Sequence, residues 1–221
     1  MRIVAIIGAR PQFIKHFAFE KACDGKLELI TVHTGQHYDS NMSEIFFNQL
    51  GMKDPNYMLG VGSQNHGTQT AKIMIEVEKI LEDEKPDGMV VYGDTNSTIA
   101  GALVAVKLHI PLFHIEAGLR SYNKEMPEEV NRILTDHISM GLFVPSDIAI
   151  QNLRKEGIVN GVYNVGDIMK DLVGYVINNN LIKEIEEEDY YYVTIHRPYN
   201  TDSMERLSYI LNSLNKLKLK V

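Results

Sequence analysis

Short, continuously apolar runs recur along this chain, each followed by a longer amphipathic or polar stretch: Ile3 to Ile7, Glu28 to His33, Met89 to Tyr92, Leu112 to Glu116, Leu142 to Pro145 and Val162 to Val165. Runs without polar alternation suit strands buried on both faces, and strands separated by helix-length segments build a parallel sheet with helices on either side. The pattern therefore predicts an α/β fold, a doubly wound parallel sheet. Pro11 opens the first helix where a missing N–H does no harm, and Gly51 ends a second helix carried by Ile45, Phe46 and Leu50. From Thr68 to Glu84 the residues Ile73, Val77, Ile80 and Leu81 recur at helical spacing, and Lys85-Pro86-Asp87 stops that helix.

A chain of 221 residues exceeds the usual single domain and favours one large α/β unit plus part of another. Asn178-Asn179-Asn180, followed by the acidic stretch from Glu184 to Asp189, reads as a linker. The expected organisation is a first domain over 1–175, a linker over 176–189 and the start of a second, incomplete domain over 190–221. That second piece holds a strand from Tyr190 to Ile195 and a helix from Met204 to Leu219, too little to enclose a core of its own.

With 44% hydrophobic and 23% charged residues the composition is that of a soluble globular protein, which excludes disorder. A formal charge of -7 argues against nucleic acid as the main partner. Cys23 is the single cysteine, so there is no internal disulfide and no thiolate metal cage, the usage of a cytosolic protein. It reads as a small buried residue on the first helix. The run from Met1 to Gly8 is too short for a signal segment or a membrane span, so no membrane partner is expected.

Ligands of open parallel sheets bind beyond the carboxyl ends of the strands, and those ends carry the unusual polar residues here. Gly8-Ala9-Arg10-Pro11-Gln12 offers a turn, a helix N-terminus and a guanidinium, either an anion cradle or a solvent-facing Arg10 beside a turn. Thr34-Gly35-Gln36-His37-Tyr38-Asp39 either presents Gln36 and His37 to hydroxyl groups or forms a polar turn capping the next helix. In Gly93-Asp94-Thr95-Asn96-Ser97 one polar residue must cap the following helix; a cap does not account for four, and Asp94 is the functional candidate.

Further along, Glu116 ends an apolar strand and Arg120 returns to the same mouth, unless the two merely form an ion pair holding the loop. Pro127-Glu128-Glu129 makes an acidic first helical turn that the helix dipole alone would accept, followed by Asn131 and Arg132. His196 follows the Tyr190 strand and precedes Thr201-Asp202, a natural helix cap; it is either a proton donor or structural. No His/Cys/Asp cluster has metal-ligand spacing, no Gly-x-Ser-x-Gly elbow occurs, and no repeat is visible, so metal hydrolysis and serine chemistry fall away.

In combination and in order, Gly8-Ala9-Arg10-Pro11, His33-Thr34-Gly35-Gln36-His37, Gly93-Asp94-Thr95-Asn96, Glu116-Ala117-Gly118-Leu119-Arg120 and Pro127-Glu128-Glu129-x-Asn131-Arg132 resemble the non-hydrolysing UDP-N-acetylglucosamine 2-epimerase family. The resemblance implies a Rossmann-like, glycosyltransferase-B-like architecture with a truncated second domain. It also implies interconversion of UDP-N-acetylglucosamine and UDP-N-acetylmannosamine by elimination of UDP to a 2-acetamidoglucal and re-addition. Carried over, Asp94, Glu116 and Glu128 are the family's carboxylates and His196 its imidazole opposite the leaving diphosphate, while Arg10 and Arg132 match positions that contact the nucleotide or orient that cluster.

Gln36, His37 and Arg120 complete the expected substrate-binding set. Tyr199 stands where the family commonly has Glu. No cofactor or metal is implied; a cytoplasmic homodimer serving cell-surface polysaccharide precursors is. The stretch Arg120-Ser121-Tyr122-Asn123 is similar to a branch acting on UDP-N-acetylglucosamine or on diacetamido uronic acid analogues. Other readings are an inactive sugar-nucleotide-binding half and a glycosyltransferase of the same fold.

Overall fold

The computed structural model describes residues 1–36, 51–181, 189–195 and 198–220. The helix expected around Ile45, Phe46 and Leu50 lies outside the described residues, as do His37 and His196. The chain divides into two compact units, Met1–Asn179 and Asn180–Val221.

The first unit alternates strands β1 (Arg2–Ile7), β2 (Glu28–His33), β3 (Tyr57–Met58), β4 (Gly88–Tyr92), β5 (Leu112–Ile115), β6 (Gly141–Val144) and β7 (Val162–Asn164) with helices. The helices are α1 (Arg10–Cys23), α2 (His66–Glu84), α3 (Asn96–Lys107), α4 (Pro127–Ile138), α5 (Asp147–Lys155) and α6 (Ile168–Asn178). All strand pairs are parallel, in the order β3-β2-β1-β4-β5-β6-β7. The order reverses between β1 and β4, the switch point at which such Rossmann-like sheets bind ligands.

The sheet is covered on both faces, which explains the continuous apolar runs. In β1, Val4 and Ile6 join Val32, Met89, Val91 and Leu112 beneath Ile73 and Val77 of α2 and Ala102 and Ala105 of α3. The alternate residues Ile3, Ala5 and Ile7 join Val90, Tyr92, Ile115 and Phe13 of α1 on the other face. A third cluster of Ala117, Leu142, Val144, Ala149 and Leu153 fixes α5. The spacing read for α2 holds: Ile73, Val77, Ile80 and Leu81 are buried. Its stop is a left-handed Lys85 whose N–H closes on the Leu81 carbonyl at 3.1 Å.

Several boundaries differ from the sequence reading. Strand β5 stops at Ile115 because Glu116 turns out of the sheet with φ of 69°. Strands β6 and β7 end one residue early, at Val144 and Asn164. Strand β3 was not readable, since two residues pairing with Val32 and His33 carry no periodicity.

In the second unit α7 (Pro198–Thr201) and α8 (Met204–Leu214) are helical. Helix α8 ends at Leu214 and not Leu219, because Lys216-Leu217-Lys218-Leu219 alternates with the period of extended chain. Ser203, not Thr201 or Asp202, caps it by accepting from the Arg206 N–H. Tyr190 to Ile195 is no strand: Tyr190 makes one isolated bridge to Lys220, and among the described residues no neighbouring strand gives the run a ladder to join.

Candidate functional site

The turns after β1 and β4 are tied together by one buried amide. Gln12 accepts from the N–H groups of Gly8 and Ala9 at 2.8 and 3.0 Å and donates to the Tyr92 carbonyl at 2.9 Å and to the hydroxyls of Thr95 and Thr98 at 3.0 Å each. Gly8 is required here by close approach: a Cβ would stand 2.2 Å from Thr34 Oγ1 and 2.3 Å from Ser97 Oγ. Those two hydroxyls bond each other at 2.8 Å. Gln36, expected to face substrate, is buried and turns its amide oxygen inward to the Ser97 N–H and hydroxyl at 2.9 and 2.7 Å. Arg10 is exposed at the start of α1.

Beside this neutral seam the charged residues gather. Thr95 is the N-cap of α3, its hydroxyl accepting from the Thr98 N–H, so capping leaves Asp94 uncommitted. Asp94 instead pairs with Arg132 of α4, and Asn131 donates to the Asp94 carbonyl at 2.9 Å. Glu116 pairs with Lys15, which is largely buried in α1. Both lie over Gly93, where a Cβ would approach Glu116 Oε2 to 3.1 Å and Lys15 Nζ to 3.5 Å. Asp94, Glu116, Lys15 and Arg132 thus come together at the switch point from the turns after β4 and β5 and from α1 and α4. Glu128 is exposed on the first turn of α4, with no hydrogen bond or ion pair among the described residues.

Lys15 was missed in the sequence. Its signal is a cation inside the stretch Phe13-Ile14-Lys15-His16-Phe17, where an apolar face was expected. Glu129, the neighbour of Glu128, is 1% exposed and accepts from the Ser121 and Tyr122 N–H groups at 2.9 and 2.8 Å. Burial works to raise its pKa, but those two N–H bonds and the Arg132 charge outweigh it and hold the carboxyl below its usual range. Arg132 also reaches Glu129 at 3.5 Å, and its Nε is buried with no hydrogen-bond partner among the described residues.

Arg120 corrects two expectations: it neither returns to the mouth nor pairs with Glu116. Its guanidinium is fully buried, gripping Glu156 with two bonds of 2.7 Å and reaching Asp136 and the Leu119 carbonyl at 2.7 Å each. Burial alone would lower its pKa, yet Glu156 and Asp136 raise it. Asp136, equally buried, takes His114 Nδ1 at 2.7 Å and the Gly118 N–H at 3.0 Å. Burial pushes the Asp136 pKa up; the bonds and charges of His114 and Arg120 bring it below the usual value.

An apolar cleft of about 230 Å³ opens beside Glu116, walled by Phe19, Ile115, Phe143, Pro145, Val165 and Ile168. Among the described residues no group of three or more His, Cys, Asp or Glu is placed to hold a metal ion, and no helix is long and apolar enough to cross a membrane. The cluster offers two partly exposed carboxylates, each paired with a cation, an arrangement suited to moving a proton on a polar, anionic ligand.

A family model described as UDP-N-acetylglucosamine 2-epimerase matches residues 21–220. The chain is 48% identical over 229 residues to a UDP-N-acetylglucosamine 2-epimerase homolog of Methanococcus maripaludis, covering 100% of this chain and 64% of that protein. It is also 48% identical to the UDP-2,3-diacetamido-2,3-dideoxy-D-glucuronate 2-epimerase of Pseudomonas aeruginosa, with the same coverage of 100% and 64%. Among solved structures it resembles the Methanocaldococcus jannaschii UDP-GlcNAc 2-epimerase in complex with UDP-GlcNAc and UDP, with a TM-score of 0.89, 43% identity, and coverage of 98% of this chain and 62% of that one. The chain therefore spans somewhat less than two thirds of the length of these relatives.

Proposed function

We propose that this chain, which belongs to the UDP-N-acetylglucosamine 2-epimerase family, supplies the carboxylate face of an active site that inverts carbon 2 of a UDP-N-acetylhexosamine. The reaction is the interconversion of UDP-N-acetylglucosamine and UDP-N-acetylmannosamine. The observation that carries this reading is the gathering of Asp94, Glu116, Lys15 and Arg132 over the β1–β4 switch point.

The chemistry needs such a cluster. The hydrogen on carbon 2 has no adjacent carbonyl to acidify it, so the bond from carbon 1 to the diphosphate oxygen breaks first or together, UDP leaving with the electron pair. Carboxylates beside the ring stabilise the oxocarbenium-like charge. One carboxylate then takes the carbon 2 proton, the C–H electrons form the carbon 1–carbon 2 double bond, and a 2-acetamidoglucal results. Return of a proton to the other face of carbon 2 and attack of UDP on carbon 1 give the epimer. No atom changes oxidation state overall, so the route calls for no redox cofactor. Asp94, Glu116 and Glu128 are the proton-handling candidates, with His196 as the expected imidazole near the leaving group. Arg10, Arg132 and Lys15 supply positive charge for the anionic substrate.

The relatives' remaining third is expected to complete the nucleotide site, so the isolated chain binds sugar nucleotide weakly and turns over slowly. A second reading, epimerisation of a UDP-diacetamido uronate, is favoured by the 48% identity to the Pseudomonas aeruginosa enzyme. We also assign the chain to a cytoplasmic homodimer making polysaccharide precursors; Val130 and Leu134 lie one turn apart and exposed on α4, an apolar face suited to a second copy.

The test is proton NMR of UDP-N-acetylglucosamine in deuterated water, with the chain alone and with the chain fused to the remaining segment of the Methanocaldococcus jannaschii relative. The carbon 2 proton signal should vanish with the fusion, and Asp94→Asn should abolish that loss while leaving affinity within a few-fold. A fusion that binds without exchange would mark a binding module or a transferase, and exchange with the diacetamido uronate alone would select the second reading.

A further inference from the structure

The segments bearing the candidate carboxylates are all fastened to one residue that lies outside the mouth. Asp136 sits on α4, the helix that also carries Glu128, Asn131 and Arg132. Its Oδ1 takes His114 Nδ1 at 2.7 Å, and the other nitrogen of that ring, Nε2, meets the Gly93 carbonyl at 2.7 Å, immediately before Asp94. The ring thus bridges the Asp136 carboxyl to the backbone just before Asp94. Asp136 Oδ2 takes the Gly118 N–H at 3.0 Å, two residues after Glu116, and Arg120 Nη1 at 2.7 Å. The side chains of His114, Asp136 and Arg120 are all 0% exposed.

Burying three such groups is an expensive way to gain stability, since well-packed apolar residues of similar volume often do as well or better. What apolar residues lack is direction. The contacts made by Asp136 run to the turn after β4, to the turn after β5 and, through its own backbone, to α4. Asp94, Glu116 and Glu128 are carried on these three segments.

We propose that Asp136 is a positioning residue, and that its buried links through His114 to Gly93 and directly to Gly118 set the mutual placement of Asp94, Glu116 and Glu128. The consequence for turnover rests on the epimerase reading above; the mechanical linkage does not. Ligand affinity depends on groups at the open mouth, so loosening the linkage should lower the rate of the chemical step more than the affinity.

The experiment compares Asp136→Asn with Glu156→Gln, which loosens the same cluster from its far side through Arg120 and leaves the bonds to His114 and Gly118 in place. Proton–nitrogen NMR of the whole chain reads the linkage directly. The ring nitrogen signals of His114 should report its two hydrogen bonds in the parent protein. Asp136→Asn should remove or shift one of them and move the amide signals of Asp94 and Glu116, whereas Glu156→Gln should leave those amides in place. Carried into the fusion described above, in deuterated water with saturating UDP-N-acetylglucosamine, Asp136→Asn should lower kcat for exchange by about 10- to 100-fold with KM within about two-fold. Glu156→Gln should lower Tm with kcat kept.

Unmoved Asp94 and Glu116 amides, or equal loss of kcat in both variants, would overturn the proposal. If the parent protein exchanges no deuterium under any condition, the functional reading fails while the amide signals still decide the linkage. If Asp136→Asn does not fold, His114→Gln, which breaks the same connection from its other end, carries the identical comparison.

Discussion

On the side where the turns after β1 and β2 meet the start of α3 the polar groups are neutral, buried and bonded to one another: Gln12, Thr34, Gln36, Ser97 and Thr98. On the β4–β5 side Asp94 and Glu116 are charged and about a quarter to a third exposed, each held by a cation. The first side is a seam of buried groups that bond chiefly to one another. The second keeps charge accessible and borrows its rigidity from a separate layer below, His114, Asp136 and Arg120. The difference teaches that strand-end polarity has two meanings, and that burial together with hydrogen-bond satisfaction separates them.

The largest expected effect breaks the charged side alone. Glu116→Gln should cut carbon 2 exchange by roughly 10³-fold, the scale of a lost acid/base group. Melting curves should show a change of only a few degrees, and a protein that keeps its exchange rate would remove Glu116 from the chemistry.

Acid should then separate the two sides by pH. Burial lowers the pKa of His16 and of His33 to about 4, so the unfolded chain takes up their protons first. Their contribution is complete above about 6.5 and is lost as pH falls from there to about 4, up to about 3 kcal/mol each. On the charged side Asp136 and Glu129 have lowered values, so their contribution holds above the ordinary carboxylate range and disappears only below it. Urea midpoints from pH 7 to 4 should fall, and His16→Gln should flatten the slope in that window without altering the fall below it.

Two smaller changes probe the seam. Gly8→Ala forces a methyl against Thr34 and Ser97 and should cost about 2 kcal/mol, read as a lower urea midpoint. Thr95→Ala removes the α3 cap and should cost about 1 kcal/mol. An unchanged midpoint in Gly8→Ala would show that the seam is loose.

Much of the sheet was legible because burial on both faces leaves uninterrupted apolar runs such as Ile3 to Ile7, while Tyr57–Met58 has no run to read. At the site, Asp94 stood out because four polar residues exceed what one cap needs, and Thr95 is that cap. Arg120 could not be placed from the sequence, since its partners Asp136 and Glu156 lie 16 and 36 positions away and local spacing pointed to Glu116. Lys15 escapes the sequence for a related reason, and Glu129 reads there only as part of an acidic first turn: a charge on a helix reads as surface until the neighbour it must meet is known. The positive φ of Glu116, which turns its carboxylate from the sheet toward Lys15, leaves no mark in composition or period.

The most direct test of the central claim is a crystal structure of Glu116→Gln with UDP-N-acetylglucosamine, in which the sugar is bound but not turned over. The pyranose should lie over Gly93, with carbon 2 within about 4 Å of Asp94 or of the position 116 amide and the diphosphate toward the cationic side chains. A hexose seated away from both positions, or a ring shielded from them by packed side chains, would contradict that claim.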